Sequence, residues 1–343
     1  MTDIPAEHLA ELTTVGSREA VVHRALEVER LDGLAPGSTH ELAGFEFETL
    51  PEPGERLATF ATVNDVHFGE EVCGLVHDNP DVGPVFRSEP GEPPYPETMN
   101  AGAVEEISAV DPAVVLVKGD LTATGTHAEY ERFVEVWQGA FGARLLHVRG
   151  NHDAYYGATF ADMSCQRVDL PGATLAMLDT TVPGQAGGGL TADQIEWLDE
   201  LAATADRPVL VFGHHHAWNP ASSERPDPYF GVHPDWSERL VEVVARRPRI
   251  AGYFAGHTHR NRVRHFAATG TVPWVEVACV KDYPGAWAEY RVHEGGVLQI
   301  VHRISTPAAL AWTERTRHMF AGMYGTYALG ALADRCFAIA TDR

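Results

Sequence analysis

Cysteine is scarce in this chain of 343 residues, which has only four. The four lie far apart in the sequence and form no Cys-x-x-Cys pair; they are Cys73, Cys165, Cys279 and Cys336. Disulfide frameworks and thiolate zinc sites need more cysteines, or cysteines at closer spacing. We therefore expect neither kind of site and interpret the thiols as reduced side chains that pack inside the protein.

Long hydrophobic runs are absent as well. No apolar stretch reaches the ~18 residues that a transmembrane helix needs. Residues 1–12 are acidic and lack the basic start and apolar segment of a secretory signal. We therefore expect a cytoplasmic protein with no membrane partner.

Positive charge is in short supply. The chain has 26 lysines and arginines against 48 aspartates and glutamates, a net charge of −22 at pH 7. A surface of this sign repels polyanions, so we expect no nucleic-acid polymer as a partner. The excess acidity either serves solubility or includes carboxylates that bind divalent cations, and both interpretations can hold together. No pattern indicates the oligomeric state.

Short apolar runs bounded by turn residues recur from about residue 56 onward, and helical patterns follow several of them. Such runs are typical of buried strands in an α/β sheet. A hydrophobic fraction of 44% is enough for a sizeable core. We predict an α/β fold with strands at residues 57–63, 113–117, 145–148, 175–178, 209–212 and 250–254.

Helical patterns occupy much of the sequence between these strands. Thr191 and Gln194 have the spacing of a capping box and predict one helix start. Residues 69–96 and 217–234 are rich in Pro, Gly and Asp, and long loops of this kind are commonly functional lids. Further helices are predicted at residues 97–110, 128–141 and 236–246.

The two ends of the chain differ from the middle. We predict an N-terminal extension over residues 1–55 that packs on the core, a central domain over 56–304 and a helical C-terminal tail over 305–343. The extension is expected to open with a helix and to contain an edge strand pair at residues 39–50. Apolar residues of the tail, from Met319 to Phe337, are expected on one helical surface.

Five strand-ending turns carry potential metal ligands. Strands of an open α/β sheet deliver the residues at their carboxyl ends to one crevice, so we expect these turns to converge. Each motif alone is weak evidence for a metal site. Five such motifs in order, each directly after a predicted strand, are strong evidence. The motifs are Asp65-Val-His67, Gly119-Asp120, Gly150-Asn151-His152-Asp153, Gly213-His214-His215-His216 and Gly256-His257-Thr258-His259.

In this order the motifs resemble the calcineurin-like metallophosphoesterase superfamily, whose pattern runs Asp-x-His, Gly-Asp, Gly-Asn-His-Asp/Glu, His and Gly-His-x-His. The match extends over about residues 57–301 and fills every ligand position. The resemblance implies a four-layer αββα sandwich, to which the N-terminal extension and the C-terminal tail are added. It also implies a metal-dependent phosphoesterase, a hydrolase with a binuclear metal centre.

The resemblance further implies a set of ligands for each ion. One ion would be held by Asp65, His67, Asp120 and His259. The other would be held by Asp120, Asn151, His214 and His257, so that Asp120 bridges the two. Mixed imidazole and carboxylate ligands suit two divalent or mixed-valence ions of Fe, Mn, Zn or Co.

Only one histidine of the run at residues 214–216 should coordinate metal. The family's ligand is the first histidine after the strand, which favours His214. His215 or His216 would then face substrate.

The implied chemistry follows from these ligands. Two cations about 3.5–4 Å apart lower the pKa of a shared water, so that a metal-bridging hydroxide can attack the phosphorus. In the family pattern His152 is not a ligand and donates a hydrogen bond or proton to the departing oxygen. The alternative is that His152 merely orients the Asn151 turn, and whether Asp153 orients His152 stays open.

The branch of the family is indicated by the segment from Leu178 to Leu198, which contains Asp179, Thr191 and Gln194 and resembles the class III cyclic-nucleotide phosphodiesterase group. That resemblance implies a small phosphodiester substrate, of the cyclic nucleotide or glycerophosphodiester type. One alternative is a phosphomonoesterase acting on a nucleotide or sugar phosphate. A second is a non-catalytic metal-binding scaffold, which the complete ligand set disfavours.

The sequence does not identify the substrate-binding residues. Aromatic and histidine side chains of the two loops are candidates for stacking on a substrate or for simple packing. These are His77, Tyr95, Trp218, Tyr229 and Phe230. The arginines Arg260, Arg262 and Arg264 either contact a phosphate or pair with the surplus carboxylates.

Overall fold

The computed structural model of the chain describes residues 9–75 and 83–341. The first five strands are β1 (Ala10–Val15), β2 (Glu19–Arg24), β3 (Glu27–Asp32), β4 (Thr39–Leu42) and β5 (Phe45–Glu48). The first three form an antiparallel sheet, so the helix predicted at the start of the extension is wrong for residues 10–32. The last two form a hairpin, which confirms the strand pair predicted at residues 39–50.

Two six-stranded sheets follow in the described chain. Their strands are β6 (Arg56–Val63), β7 (Val115–Lys118), β8 (Leu145–Val148), β9 (Cys165–Leu170), β10 (Ala173–Leu178), β11 (Val209–Phe212), β12 (Ile250–Ala255), β13 (Arg262–His265), β14 (Pro273–Glu276), β15 (Ala286–His293), β16 (Gly296–Arg303) and β17 (Cys336–Ile339). Sheet A has the order β17–β16–β15–β6–β7–β8, and sheet B has the order β13–β14–β12–β11–β10–β9. Strands β6, β7 and β8 are parallel to one another, and so are β10, β11, β12 and β14.

The helices lie mainly between these strands. They are α1 (Tyr95–Val110), α2 (His127–Phe133), α3 (Gly139–Phe141), α4 (Asn151–Ala154), α5 (Ala192–Thr204), α6 (Pro234–Arg246), α7 (Pro307–Thr316), α8 (Tyr324–Leu329) and α9 (Leu332–Arg335). A π-helical stretch, Val134–Gln138, joins α2 to α3. At the start of α5 the amide of Gln194 donates to Thr191 Oγ1 and the amide of Thr191 donates to Gln194 Oε1, which confirms the predicted capping box.

Alternating side chains of the central strands join the layers of the fold. In β7, Leu116 belongs to an apolar cluster between the two sheets, whereas Val115 and Val117 pack with residues of α1 on the outer face of sheet A. Between the sheets the rings of Phe60 and Tyr290 stack with centroids 4.6 Å apart.

The same alternation occurs in sheet B. In β11, Leu210 and Phe212 belong to the cluster between the sheets. Val209 and Val211 pack on the other face of the strand with α5 and α6. The layers therefore run helix, sheet, sheet, helix, which confirms the predicted αββα sandwich.

The predicted bounds of the central strands and helices agree with the structure to within two residues. Residues 145–148 and 209–212 coincide with their strands. The two stretches predicted to be irregular contain, in their described parts before α1 and before α6, no helix or strand beyond isolated bridges. The pattern of apolar runs therefore places six of the twelve strands of these sheets, whereas β9 and β13 to β17 were not predicted.

The C-terminal tail is helical over α7, α8 and α9 but ends in a strand. β17 pairs antiparallel with β16 at the edge of sheet A. The expectation that Phe337 lies on a helical surface is therefore wrong, because this residue pairs with Gln299 in the sheet.

None of the described helices combines the length and the apolar character needed to cross a bilayer. All four cysteines lie within the described residues, and none of them forms a disulfide.

Candidate metal centre

The five ligand-bearing turns meet at the carboxyl ends of the central parallel strands. They follow β6, β7 and β8 in sheet A and β11 and β12 in sheet B. Donor atoms within groups of three side chains lie within 4.8 Å of one another. One such group contains Asp65, His67 and His259, and another contains Asp65, Asp120 and His214. The structure therefore brings together side chains that are up to 194 positions apart in the sequence.

Asp120 lies at the centre of this cluster. Its Oδ2 is 3.4 Å from Nε2 of His67 and 3.4 Å from Nε2 of His214. On one side, Asp65 Oδ1 lies 3.3 Å from Nε2 of His259. On the other side, Asn151 Oδ1 lies 3.1 Å from Nε2 of His214. One carboxylate thus faces both of the ligand sets implied by the sequence.

The backbone of the cluster is held in an uncommon conformation. Left-handed φ angles are unfavourable for residues other than glycine and persist only where the surrounding structure enforces them. Such residues occur preferentially at functional sites. Here five of the ligand candidates have φ between 45° and 68°: Asp65, His67, Asp120, His257 and His259.

Glycine is required beside the ligands for steric reasons. A Cβ at Gly119 would lie 2.5 Å from the Nδ1 of His214, and a Cβ at Gly150 would lie 2.2 Å from Oδ1 of Asp120. Real Cβ atoms do not approach other atoms so closely. The two glycines therefore allow the turns after β7 and β8 to approach their neighbours' ligand side chains.

Several buried donor atoms of the cluster lack a hydrogen bond. Among the described residues, Asp65 Oδ1 and both ring nitrogens of His67 are buried and form no hydrogen bond, although each has an ionisable neighbour 3.3–3.5 Å away. Buried polar groups in folded proteins nearly always form a hydrogen bond, so these exceptions require a physical explanation. Metal ions would supply the missing interactions, and a set of imidazole and carboxylate donors suits Fe, Mn, Zn or Co. The residues present therefore fit the implied metals.

The charges of the cluster are mutually stabilised. Burial opposes ionisation of Asp120, but the neighbouring His214 holds the pKa of this carboxyl well below its ordinary range. Burial also lowers the pKa of His214, whereas the Asp120 carboxylate raises it to about 9 and makes the two an ion pair. Burial lowers the pKa of His67 and of His257 and keeps these imidazoles neutral, which is the form that binds metal.

The model of the calcineurin-like phosphoesterase family matches residues 58–261, more than half of the chain. The chain belongs to this family. The protein is therefore a metal-dependent phosphoesterase of the family in which the motifs placed it. All seven predicted ligand residues lie within the matched segment.

Two bacterial phosphodiesterases are similar to the chain over about half of its length. Glycerophosphodiester phosphodiesterase GpdQ of Enterobacter lignolyticus is 28% identical over 196 residues, which are 51% of this chain and 68% of the relative. The 3′,5′-cyclic adenosine monophosphate phosphodiesterase CpdA of Pseudomonas aeruginosa is 27% identical over 195 residues, 53% of this chain and 68% of the relative. These relatives belong to the class III group that the segment around Asp179 indicated.

A solved structure is similar in fold. A dimetal phosphatase from Danio rerio superposes with a TM-score of 0.54 and 15% identity, covering 73% of this chain and 97% of its own. At this identity the likeness concerns the fold alone, and it agrees with the sandwich of sheets A and B.

The three consecutive histidines have different surroundings. His214 contacts Asp120 and Asn151, and its Nδ1 donates to the carbonyl of Lys118 over 2.8 Å. Nδ1 of His215 lies 2.8 Å from Thr180 Oγ1. A ring nitrogen of His215 also lies within 4.8 Å of ring nitrogens of His214 and His257. His216 lies 2.9 Å from the hydroxyl of Tyr229 through Nε2. Of the three, His214 has the position nearest to the shared carboxylate.

His152 lies beside the predicted ligands, with a ring nitrogen within 4.8 Å of ligand atoms of His67 and Asp120. Its Nδ1 is 2.8 Å from the carbonyl oxygen of Ala123, which can only accept, so this nitrogen carries a proton. The ring lines the cavity beside the ligands and packs against His67 with centroids 4.5 Å apart. Asp153 does not contact the ring; it accepts hydrogen bonds from the amides of Leu121 and Gly150 and so joins two ligand turns.

A buried ion cluster behind the ligands is absent from the sequence-based prediction. Lys281 Nζ lies 2.9 Å from a carboxylate oxygen of Glu70 and 3.0 Å from one of Asp282. The same carboxylates face the Nδ1 atoms of two ligand candidates, Glu70 at 3.5 Å from His67 and Asp282 at 3.7 Å from His259. Carboxylates in this position orient metal-binding histidines. The only available signal was composition, because Lys281 is one of just two lysines in the chain.

We expect Lys281→Met to lower the free energy of unfolding by about 3–5 kcal/mol, because it leaves the buried carboxylate of Asp282 and the partly buried one of Glu70 without their cation. Burial opposes ionisation of Glu70 and Asp282, and Lys281 is what lowers the pKa of both. The measurement is urea denaturation with a chelator present. The control is Arg132→Met, in which a cation that is 43% exposed is lost from Glu97 and Glu135, with an expected loss of at most about 1 kcal/mol. Equal losses in the two variants would contradict the role given to Lys281.

The other candidates for substrate contact have varied positions. Arg260 and Arg264 both pair with Glu276, so pairing with surplus carboxylates is what the structure shows for these two arginines. Tyr95 and Trp218 are buried in packing positions. Phe230 is 55% exposed and lines the cavity beside His257. His77 lies outside the described residues.

Proposed function

We propose that this chain hydrolyses a small phosphodiester, of the cyclic nucleotide or glycerophosphodiester type, at a centre of two metal ions. The observation that carries the proposal is the convergence of ligand candidates from five turns on one rim, beside a cavity of about 610 Å³. A cavity of this size suits a small organic ligand. The substrates in the names of the two bacterial relatives support a diester.

The proposed ions are divalent or mixed-valence Fe, Mn, Zn or Co. Asp65, His67, Asp120 and His259 would hold the first. Asp120, Asn151, His214 and His257 would hold the second. When bound, such a pair of ions lowers the pKa of water and neutralises charge on the phosphoryl oxygens.

The chain's own residues hold and orient these groups. The hydroxyl of Tyr155 accepts a hydrogen bond from the Asn151 amide nitrogen over 2.7 Å, which leaves the amide oxygen directed to His214. The carbonyl of Lys118 fixes the other nitrogen of His214 as a donor. His152 is proposed to donate a proton or hydrogen bond to the departing oxygen from the cavity wall.

We expect diesters to be hydrolysed faster than monoesters with the same leaving group. A monoester carries close to two negative charges at neutral pH, and the cavity lining includes the carboxylates of Glu70 and Asp282. Lys281, which also lines the cavity, is already paired with both. Like charges therefore oppose a monoester more than a singly charged diester.

The experiment compares methyl 4-nitrophenyl phosphate with 4-nitrophenyl phosphate on the metal-loaded protein. The expected result is a higher kcat/KM for the diester. A monoester preference of more than about tenfold, which corresponds to roughly 1.4 kcal/mol, would overturn the diester assignment. No turnover of either substrate by protein that contains metal would overturn the enzymatic proposal.

A further inference from the structure

The cavity beside the metal centre extends to the C-terminal tail. One side is lined by ligand candidates, among them His67, Asp120 and His259. The opposite side is lined by residues of the segment 319–327, named here the C-terminal wall. This segment lies outside the residues that match the family model. Its lining side chains are Met319, Phe320, Met323, Tyr324 and Tyr327.

The C-terminal wall presents apolar surface. Met323 is 69% exposed and Tyr327 is 44% exposed, and the two lie together on one side of the cavity. The polar ends of the two tyrosines are already engaged, since Tyr324 donates to Asp282 over 2.6 Å and Tyr327 donates to the carbonyl of Thr258 over 3.0 Å. The exposed ring of Tyr327 therefore offers apolar contact rather than a free hydrogen-bonding group, whereas Tyr324 is buried and supports the wall from behind.

The wall is fixed by close packing against the loop that follows β6. Phe320 and Ala321 both have left-handed backbone angles, with φ of 53° and 54°, which persist only under constraint. A Cβ at Gly83 would lie 2.7 Å from the amide nitrogen of Ala321, and a Cβ at Gly74 would lie 3.2 Å from the sulfur of Met319. The two glycines thus permit a tight contact that holds the strained turn beside the cavity.

The electrostatics of the cavity disfavour a second anionic group on the substrate. Apart from histidines, Lys281 is the only cationic side chain among the described residues that line it. Lys281 is held between Glu70 and Asp282 and is not free to bind another anion. An anionic group is therefore disfavoured in the part of the substrate that extends from the phosphate toward the wall, and the apolar side chains of the wall favour an uncharged group there.

We propose that the C-terminal wall binds an apolar alkyl or aryl ester group of the phosphodiester, so that one alcohol of the substrate is apolar; of the two proposed substrate types this favours the glycerophosphodiester, whose second alcohol can be apolar, over the cyclic nucleotide. This inference rests on the proposed function, because it needs a diester at the metal centre. The phosphate would lie at the ligands, and its non-departing ester group would lie against Met323 and its neighbours.

The experiment uses diesters that share one 4-nitrophenyl leaving group and differ in the second alcohol: methyl, butyl, 3,4-dihydroxybutyl and thymidine 5′. Each buried methylene contributes about fourfold to binding. We therefore expect kcat/KM to rise by at least about tenfold from methyl to butyl and to fall again for the dihydroxybutyl ester. Dibutyl phosphate should likewise bind more tightly than dimethyl phosphate in calorimetry, which requires no turnover.

Variants of Met323 test whether the preference for the butyl ester arises at the C-terminal wall. Met323→Ser should lower the butyl-to-methyl ratio by severalfold, and Met323→Leu should keep it, because leucine restores a side chain of similar volume. The matched control is Met163→Ser, at a methionine that is 56% exposed and does not line the cavity, and it should leave the ratio unchanged.

Each other outcome has a definite meaning. Equal rates for methyl and butyl, or a preference for the dihydroxybutyl or thymidine ester, would overturn the apolar subsite while leaving diester hydrolysis intact. An unchanged ratio in Met323→Ser would overturn its location at the wall. No hydrolysis of any ester by metal-loaded protein would overturn the proposed function and this inference with it.

Discussion

Replacing Asp120 with Asn is expected to remove both metal ions and to lower kcat/KM by about 10³-fold or more. Its Oδ2 lies at the same 3.4 Å distance from His67 and from His214, which belong to different ligand sets. Loss of this one charge therefore weakens both sites. Metal ions contribute several kcal/mol of charge stabilisation to such reactions, and each 1.36 kcal/mol is tenfold in rate. Asn preserves the size of the buried side chain, so folding can be verified by circular dichroism.

Metal content of the purified variants is the decisive measurement. His67→Ala and Asn151→Ala each touch a single ligand set and should lose less metal than the Asp120 variants. His216→Ala should keep both ions, because its Nε2 is occupied by the Tyr229 hydroxyl, whereas His214→Ala should not. If Asp120→Asn or Asp120→Ala retains two ions, the bridging assignment is wrong.

The central strands were predictable because their physical cause is local. A short buried strand is mostly apolar and is bounded by turn residues, so Val209–Phe212 and Gly213 can be read directly from the chain. The metal ligands were predictable for the same reason, since each occupies a turn at a strand end. Their convergence needed only the rule that parallel strands present these ends at one edge.

The errors occurred where pairing decides the structure. β1 contains Ala10, Glu11 and Leu12, which favour helix, but these residues pair with β2, as Thr14 and Val15 do, and the local preference is overridden. Phe337 fits a helical apolar pattern, yet the unpaired edge of β16 was available to it. The local sequence pattern of a segment does not show which strand the segment will pair with. It therefore cannot decide between a helix and a paired strand.

The ion cluster behind the ligands was unpredictable for a related reason. Glu70 and Lys281 are 211 positions apart and belong to no motif. The two residues form an ion pair only because the fold brings them together behind His67 and His259. Similarly, Arg264 could equally have faced substrate until the position of Glu276 on β14 was known.

His152→Ala is expected to lower kcat by about 10²- to 10⁴-fold while both metal ions remain bound, the range of a general acid. The carbonyl of Ala123 accepts a hydrogen bond from Nδ1–H, so the ring is fixed and Nε2 is the nitrogen left for substrate, where it donates when the ring is protonated. The imidazole does not belong to either ligand set, although it packs against His67. Removing it should therefore affect the departing oxygen rather than the metal.

The leaving group separates this role from a positioning role. An alkoxide departs poorly without a proton, whereas 4-nitrophenolate is already a stable anion and needs little help. The loss in His152→Ala should therefore be large for a dialkyl phosphodiester and small for an alkyl 4-nitrophenyl diester, measured on the same metal-loaded preparation. An equal loss on both would indicate that His152 positions substrate. Loss of metal in the variant would instead make the His152 side chain a support for Asn151, whose turn it shares, because the backbone hydrogen bond from residue 152 to Asp120 Oδ1 remains in the alanine variant.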